Sequence, residues 1–571
     1  MSLLSELKRR NVIKVSLTYI VAAWVIMQVG DVILGNIAAP GWIFQILLLF
    51  LLLGFPIAVI LAWAFELTPA GLKRENEVPR DGRLDEPATP PESATAALDP
   101  QKQGQIDKSI AVLPFVNMSE DASNEYFSDG ISEELLNLLA KVPELRVAAQ
   151  TSSFSLKGKE LQISEVGEIL KVAHVLEGSV RKSDNRLRIT AQLIKAEDGY
   201  HLWSETYDRT LKDVFATQEE IATEVVGQLK ITLLGKAPKV TQADPKAYAL
   251  YLQARYLARK GTSTTFEQSI GLYKQALDMD PNYIAAWDGL AAVYIDQAER
   301  AERSFTEGYG LAREAACKAM EIDPNYAKAH ARLGLIAEAY DGDLAASARY
   351  LKRALSLDPT SLDILGDAAV MAGNLGRLNE AIALQEYVLA RDPVNARGHR
   401  RIGYSYLWAG RLDDAINSFR TALTLSPGML GNQQLIGIAF LLKEDTEAAL
   451  VAMQQESESG NGWREVGLAM VYHALGQAAE SDVALARAIE LADQTAAYNI
   501  AYVEAFRGAA DRAFEWLDKA VRNKDTGLAQ IPIVTLFENI HSDPRWLPFL
   551  EKIGKSPEQL KAIDFKVAVP E

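Results

Sequence analysis

The sequence predicts a multidomain chain: an N-terminal two-helix transmembrane hairpin, a small α/β domain and an all-α superhelix of repeated helix pairs. Three features of the 571 residues predict this organisation. Two long apolar stretches lie within the first 65 residues, and strand-like and helix-like segments alternate between residues 108 and 235. Prolines then recur at a nearly constant spacing between residues 324 and 427.

Two apolar stretches near the N-terminus are each long enough to cross a bilayer. Val15–Leu34 contains a single acidic residue, and Trp42–Phe65 contains no charge at all. About 20 apolar residues span a bilayer core, and the short segment between the two stretches leaves room only for a turn. Residues 1–74 are therefore predicted to form a membrane hairpin, with spans at about 15–34 and 42–65, that contacts lipid directly.

Basic residues flank the predicted hairpin and are missing from its turn. They are Lys8, Arg9, Arg10, Lys14, Lys73 and Arg74. The positive-inside rule then places both ends of the hairpin, and the soluble body that follows, in the cytoplasm. Two alternatives stay open: a signal peptide cleaved at the sequence NIAAP, and a single span at Trp42–Phe65 that leaves the body outside.

Residues 75–107 differ in composition from the rest of the chain. Pro, Glu, Ala, Thr and Ser dominate this stretch, as in EPATPPESATAALDP, and large apolar residues are rare. Such a segment cannot bury enough surface to offset its ordering entropy, so a disordered linker is predicted. The whole chain carries a formal charge of −16, although its first 74 residues are net positive. The acidic body repels phosphate backbones, which argues against nucleic acid as a partner.

Residues 108–235 are predicted to form a small mixed sheet with helices packed on it. SIAVLPF and LRVAA are short apolar runs typical of buried strands, whereas SDGISEELLNLLAKV and SEVGEILKV have helical periodicity. Start signals place the beginning of the first helix near Asp129 and Ser132. The strands AHVLEGSVRK, RLRITAQLI and HLWSETYDR follow, and a helix from Phe215 to about Leu234 ends the domain. The predicted order is β-α-β-α-β-β-β-α.

This middle region resembles the TolB N-terminal-like domain found in many bacterial membrane-anchored signalling and envelope proteins. The segments that carry the resemblance are SIAVLPFVNMSED, EYFSDGISEELLNLL, LRVAAQTSSFSLKG, HVLEGSVRKSDNRLRITAQLI and HLWSETYDR. The resemblance implies protein–protein contact and assigns no chemistry to the domain. The expected location is then the bacterial inner (plasma) membrane, where the chain would be a multi-pass protein.

A repeated pattern fills most of the remaining sequence. Segments of 34 or 35 residues follow Pro324 and end at Pro359, Pro393 and Pro427, and a longer segment separates Pro281 from Pro324. In the clearest unit, RIGYSYLWAGRLDDAINSFRTALTLSP, we expect two helices to approach closely at Gly403 and Ala415, with Phe419 filling the gap between them. Gly410 would open the turn. Pro427 would end the second helix, because proline lacks an N–H and clashes with the preceding turn.

This period and pattern resemble the tetratricopeptide repeat (TPR) family. The resemblance implies about eight helix pairs over residues 244–525, stacked as a right-handed superhelix with a concave inner face. Residues 526–571 are predicted to form a C-terminal cap and tail, in which Trp546 and Phe549 cover the last repeat.

No pattern of catalytic or cofactor-binding residues is found in the sequence. The six histidines lack partners at metal-binding spacing, and the glycine motifs that bind phosphate are missing. The acidic run SEDASNEYFSDG lacks the glycine of a calcium loop and is interpreted as a solvated loop. Glu133 and Glu134 are adjacent on a helix, cannot face each other, and are interpreted as part of a solvent-exposed face. We therefore expect no enzyme activity, no metal and no cofactor.

These patterns imply a membrane-tethered scaffold that holds a partner protein or peptide at the inner membrane. The alternative is a non-catalytic regulatory subunit, or a remnant, of a membrane signalling enzyme. Class III adenylate cyclases are one example of such enzymes. Similar combinations of a membrane anchor and repeats accompany them. The sequence leaves the identity of the partner and the oligomeric state open.

The TPR resemblance also suggests which residues would meet the partner, because the first helix of each pair lines the concave face in that family. The positions implied are Arg397, Arg400, Tyr404, Leu407, Trp408, Gln434, Ile438 and Leu441. Arginine beside tyrosine and tryptophan is typical of interface hot spots, so we expect an acidic and apolar peptide segment as the ligand. The alternative is that the arginines are ordinary solvated residues and Trp408 packs against a neighbouring helix.

Overall fold

A computed structural model describes residues 65–68, 71–74, 108–229 and 243–570, apart from 143, 184, 301, 459–461 and 493–495. The two predicted spans, except Phe65, and the predicted linker lie outside these residues. The first described element is a small antiparallel sheet, in which β1 (Phe65–Thr68) pairs with β2 (Gly71–Arg74). Within the described residues, no helix is both long and apolar enough to span a bilayer.

The α/β domain alternates strands and helices, as its sequence pattern predicts. Its strands are β3 (Ser109–Val112), β4 (Val116–Asn117), β5 (Arg146–Val147), β6 (His174–Ser183), β7 (Arg186–Lys195) and β8 (His201–Thr210). Its helices are α1 (Glu125–Ala140), α2 (Gln150–Phe154), α3 (Ile163–Leu170) and α4 (Val214–Gln228). Two short elements, β4 and α2, are added to the predicted order.

The sheet is mixed, which confirms the prediction. Its strand order is β5-β3-β6-β7-β8, and β4 pairs with the far end of β6. The pairings among β3, β5 and β6 are parallel, whereas β6–β7 and β7–β8 are antiparallel. Side chains of β3 alternate between two apolar clusters, with Ile110 and Val112 in one and Ala111 in the other. The centre of the sheet is therefore buried on both faces, as its apolar strands require.

Eight helix pairs follow and form a tetratricopeptide-like all-α superhelix. The first four pairs are α5 (Pro245–Lys260) with α6 (Ser263–Met279), α7 (Ile284–Glu299) with α8 (Phe305–Ile322), α9 (Ala327–Ile336) with α10 (Leu344–Leu357), and α11 (Leu362–Asn374) with α12 (Leu378–Arg391). The last four are α13 (Ala396–Trp408) with α14 (Leu412–Leu425), α15 (Asn432–Leu442) with α16 (Thr446–Gln455), α17 (Trp463–Ala474) with α18 (Ala478–Ala492), and α19 (Ala497–Phe506) with α20 (Ala510–Arg522). Helix α9 continues as a π-helical turn, Ala337–Asp341.

Packing within the fifth pair follows the sequence prediction. A Cβ atom placed on Gly403 would lie 2.8 Å from a ring carbon of Phe419, so only glycine allows this approach of α13 to α14. Ala415 and Phe419 are fully buried at the crossing. Gly410 has φ +76°, a left-handed conformation that suits glycine in the turn between the helices.

The C-terminal segment, residues 523–570, folds back over the array. It contains two 3₁₀ turns, Thr526–Gln530 and Thr535–Ile540, and the short helices α21 (Trp546–Lys552) and α22 (Pro557–Ala562). Trp546 and Phe549 are buried, and the Phe549 ring centroid lies 6.3 Å from that of Phe514 in the last pair. Further along, Leu560 and Phe565 pack against α10 to α12. The segment thus reaches beyond the last repeat to the middle of the array.

Two sequence-based interpretations of the α1 region are wrong. Helix α1 begins at Glu125, not near Asp129, so half of the run read as a solvated loop is helical. Glu133 and Glu134 are not on a solvent-exposed face, because both form ion pairs with Arg255 of α5. The α/β domain and the first repeats share one apolar cluster. The first repeats therefore cover the face of α1 that the sequence pattern alone suggests is solvent-exposed.

Candidate functional site

The first helix of each pair lines the inner face of the superhelix. Successive first helices contact one another from α7 to α19, and the second helices pack on the outside of them. The eight residues predicted to bind a partner all lie on two first helices, α13 and α15. The exposed fraction of these eight side chains differs widely along the inner face.

Arg397, Arg400 and Tyr404 retain some exposure on α13. Arg397 is exposed, whereas Arg400 and Tyr404 are half-buried. The Arg400 guanidinium donates a hydrogen bond to the Leu430 carbonyl oxygen, 3.0 Å away. The Tyr404 hydroxyl donates to the Gln530 side-chain oxygen at 2.5 Å, and burial raises the Tyr404 pKa well above its usual value. Two of these three side chains are thus engaged within the chain.

The other five predicted residues are buried in the structure. They are Leu407, Trp408, Gln434, Ile438 and Leu441. The Gln434 side-chain nitrogen donates to the Tyr502 hydroxyl at 3.0 Å, which links α15 to the last pair. These residues hold neighbouring repeats together. Trp408 in particular packs inside the array, which is the alternative that the sequence left open.

The C-terminal segment explains why this part of the inner face is closed. Its first 3₁₀ turn reaches Tyr404 through Gln530, and Asp525 accepts a hydrogen bond from the Tyr498 backbone N–H at 2.9 Å. Lys524 lies over the Tyr340 ring, 4.9 Å from its centroid. The apolar run LAQIPIVTLF is a sequence signal from which the docking of this segment onto the array could have been predicted. Such an apolar run rarely stays exposed to solvent in a C-terminal tail.

Another part of the inner face remains accessible, in pairs two to five. We call it the charged inner surface; it comprises Asp296, Glu299, Asp363, Asp367, Arg397 and Arg401. Each of these side chains is exposed or half-buried. Among the described residues, none of the six forms an ion pair within 4 Å. Sequence reasoning identified only Arg397, because residues from helices far apart in sequence build this surface.

The electrostatics of the charged inner surface show that opposite charges lie near one another. Burial raises the pKa of Glu299, Asp296 adds to that rise, and the Arg397 and Arg401 guanidinium groups oppose it. Burial also raises the pKa of Asp367 to about 6, and again Arg401 opposes the rise. The surface therefore presents both signs of charge with their hydrogen-bonding capacity unused, which suits a polar peptide segment.

A buried polar group lies next to this surface. The Asn374 side-chain nitrogen donates to the Glu338 carboxylate at 2.5 Å. Burial and Asp367 raise the pKa of Glu338 to about 7, and Lys555 and Arg401 oppose that rise. Among the described residues, no three His, Cys, Asp or Glu side chains are grouped as a metal ion would require.

Comparison with known sequences identifies partial relatives. No family model matches the chain. It is 37% identical over 253 residues to a protein of Rhizobium meliloti (strain 1021) named "Putative adenylate cyclase 3", a match that covers 43% of this chain and 42% of that protein. It is 32% identical over 319 residues to the transcriptional regulator HilA of Salmonella typhimurium, covering 54% of this chain and 55% of the regulator. The chain thus spans about half the length of the curated relatives it matches.

Comparison with solved structures finds other helical repeat proteins. PilW, a type IV pilus biogenesis factor, is 20% identical and has a TM-score of 0.32, with 37% of this chain and 93% of PilW covered. A tetratricopeptide repeat protein from Parabacteroides merdae is 17% identical and has a TM-score of 0.34, with 44% and 98% covered. The geometry of the helix pairs described above, rather than these likenesses, establishes the tetratricopeptide-like fold.

Proposed function

We propose that the protein is a non-catalytic interaction scaffold that binds a segment of a partner protein on the charged inner surface. The observation that carries the proposal is the set of six charged side chains on that surface, none of which forms an ion pair with another described residue. Charges held on the helices α7, α11 and α13 of a concave wall can pair with a peptide. The partner segment would carry both acidic and basic residues.

The proposal includes a membrane tether at the N-terminus. Its support is the sequence: two apolar stretches with basic flanks, at about 15–34 and 42–65. A scaffold fixed in this way would hold its partner at the cytoplasmic side of the inner membrane. The α/β domain, which resembles the TolB N-terminal-like domain in sequence, would be a second protein-contact surface.

A second candidate function is that of a regulatory subunit of a membrane signalling enzyme. The relative named "Putative adenylate cyclase 3" favours it, because 253 residues of this chain match that protein. More than half of that relative lies outside the match, so a catalytic part need not be shared. The scaffold and the regulatory subunit differ in the partner captured, which would be structural in the first case and a cyclase or kinase in the second.

Capture from solubilised membranes tests the proposal. The wild-type chain is compared with a variant carrying Arg397→Gln and Arg401→Gln, and with a control carrying Arg420→Gln and Arg487→Gln. The control arginines are also exposed but lie on the second helices α14 and α18. The inner-surface variant should lose the partner that the wild type and the control retain, while circular dichroism shows intact helices in all three. Equal capture by both variants would contradict the proposed surface.

Cyclic nucleotide assays separate the two candidates. The purified chain is incubated with ATP and Mg²⁺, alone and together with the captured partner. A scaffold produces no cyclic nucleotide in either case. A regulatory subunit changes the rate of a captured cyclase, and production by the chain alone would contradict both proposals.

A further inference from the structure

A cavity of about 630 Å³ lies between the C-terminal segment and the turn that joins α11 to α12. Its size falls in the range of small-molecule sites, roughly 300–1,000 Å³. Most of the wall is apolar and comes from Leu375, Ile531, Val534, Trp546, Leu550 and Leu560. The cavity does not overlap the charged inner surface, so its role is independent of the proposed partner binding.

One charged side chain in the wall of this cavity, Lys555, is almost completely buried and forms no ion pair among the described residues. Lys555 is 6% exposed, and among the described residues no carboxylate lies within 4 Å of its ammonium group and no side-chain hydrogen bond reaches it. Glu338 acts on it electrostatically, but that carboxylate accepts a hydrogen bond from Asn374. An ammonium in a largely buried site is stabilised by a counter-charge, and here that charge is expected from outside the chain.

The charges around the cavity are mainly positive, although the chain as a whole is acidic. Lys555, Arg377 and Lys561 line it together with a single acid, Glu538. Arg377 is already committed, since its guanidinium donates to the carbonyl oxygens of Ile563 and Phe565. Lys561 is exposed at the rim. Of the three, Lys555 is the buried cation that forms no ion pair or side-chain hydrogen bond with another described residue.

We propose that this cavity binds a small amphiphilic anion, whose acidic group pairs with Lys555 and whose hydrocarbon chain covers the apolar wall. A purely apolar ligand would leave Lys555 uncompensated. Inorganic phosphate would leave the apolar wall uncovered. A carboxylate on a hydrocarbon chain satisfies both, because a charge-assisted hydrogen bond in a desolvated site is strong and each buried CH₂ group adds to the affinity.

Burial lowers the pKa of Lys555 to about 8, and Glu338 partly opposes this change. A bound anion would raise the pKa of Lys555 again and keep its side chain in the ammonium form. This group therefore acts as the positive pole of the site at neutral pH and is also a more reactive amine than a solvated lysine.

Calorimetry with octanoate and with octan-1-ol, its neutral counterpart, tests the proposal. The wild-type chain should bind octanoate at least about tenfold more tightly than octanol, since about 1.4 kcal/mol of pairing corresponds to that ratio. Lys555→Met should abolish this preference and leave octanol binding unchanged. Lys561→Met is the matched control at the rim and should retain most of the preference. No saturable octanoate binding by the wild type, or an equal preference in Lys555→Met, would overturn the proposal.

A measurement on the wild type alone keeps the proposal testable if Lys555→Met does not fold. The chain is treated with acetic anhydride, with and without octanoate, and acetylation is located by mass spectrometry. Octanoate should protect Lys555 and leave the exposed Lys561 and Lys552 unprotected. Equal acetylation of Lys555 in both samples would contradict an anion at this position.

Discussion

Single residues determine how closely the two helices of a pair approach. Gly403 is the clearest case, because a side chain there would overlap the buried Phe419 ring. Glycines at other helical positions can face open space. Gly271 in α6, for example, has no atom within 4 Å of the place where its Cβ would be.

Gly403→Leu should destabilise the array, because overpacking a filled core costs about 1–3 kcal/mol. Thermal unfolding followed by circular dichroism measures the effect. Gly271→Leu is the matched control, a glycine to leucine change within a helix that faces open space, and it should leave the melting temperature unchanged or raise it. Equal melting of both variants would mean that the helix register of the fifth pair is wrong.

Glu338 gives the array a dependence on pH. Its folded-state pKa of about 7 lies above the usual value, so the folded protein binds this proton more tightly than the unfolded chain. The contribution of Glu338 to the free energy of unfolding therefore increases as pH falls through 7 and decreases as pH rises. Glu338→Gln should raise the free energy of unfolding at pH 8 by about 1–3 kcal/mol and have little effect at pH 5.5. A difference that is the same at both pH values would contradict the assignment.

At the scale of elements, an ion network joins the α/β domain to the first repeat. Glu133 of α1 pairs with Arg255 and, at 2.9 Å, with Arg259, both on α5. Asp129 pairs with Lys157 at 2.5 Å and with Arg259 at 3.3 Å. Glu133 and Asp129 are almost completely buried, so removing one partner leaves an uncompensated buried charge.

Glu133→Gln should therefore cost about 3–5 kcal/mol and separate the unfolding of the α/β domain from that of the repeats. Differential scanning calorimetry would show one transition in the wild type and two in the variant. Glu144→Gln is the control, because Glu144 forms an exposed ion pair with Lys108, and it should change stability by about 0–1 kcal/mol. A single unshifted transition for Glu133→Gln would show that the network does not couple the two parts.

The sequence predicts the elements better than their contacts. The strands β6 to β8 and the helices of the fifth pair follow from local periodicity, because the alternation of apolar residues lies within each segment. The position of Glu133 could not be predicted, since its partners are more than 120 residues away. The burial of Trp408 and Gln434 likewise depends on which neighbour covers them, and no local pattern specifies that.

At the scale of the whole molecule, the C-terminal segment covers part of the inner face of the array and leaves another part accessible. The C-terminal segment contacts Tyr404 at one point and α10 to α12 at another, and thereby covers the face that the sequence predicted for the partner. The charged inner surface of pairs two to five remains. The proposed partner would therefore bind to the part of the superhelix that carries the charged inner surface.

Membrane topology can be tested at the same scale. Six basic residues flank the predicted hairpin and none lies in its turn, so the body should be cytoplasmic. A fluorescent protein that folds only in the cytoplasm, fused after Arg74, should be bright. Alkaline phosphatase fused at the same position should be inactive, and an active phosphatase fusion would contradict this topology.

Site-specific photo-crosslinking in membranes tests the central claim most directly, because it reports which face of the array a partner touches. A photoreactive residue replaces Asp363, which lies exposed on the charged inner surface, or Val483, which is 70% exposed on the second helix α18. The account predicts one discrete protein adduct from position 363 and none from position 483. Adducts from position 483 alone, or from neither position, would contradict a scaffold that binds its partner on the inner face.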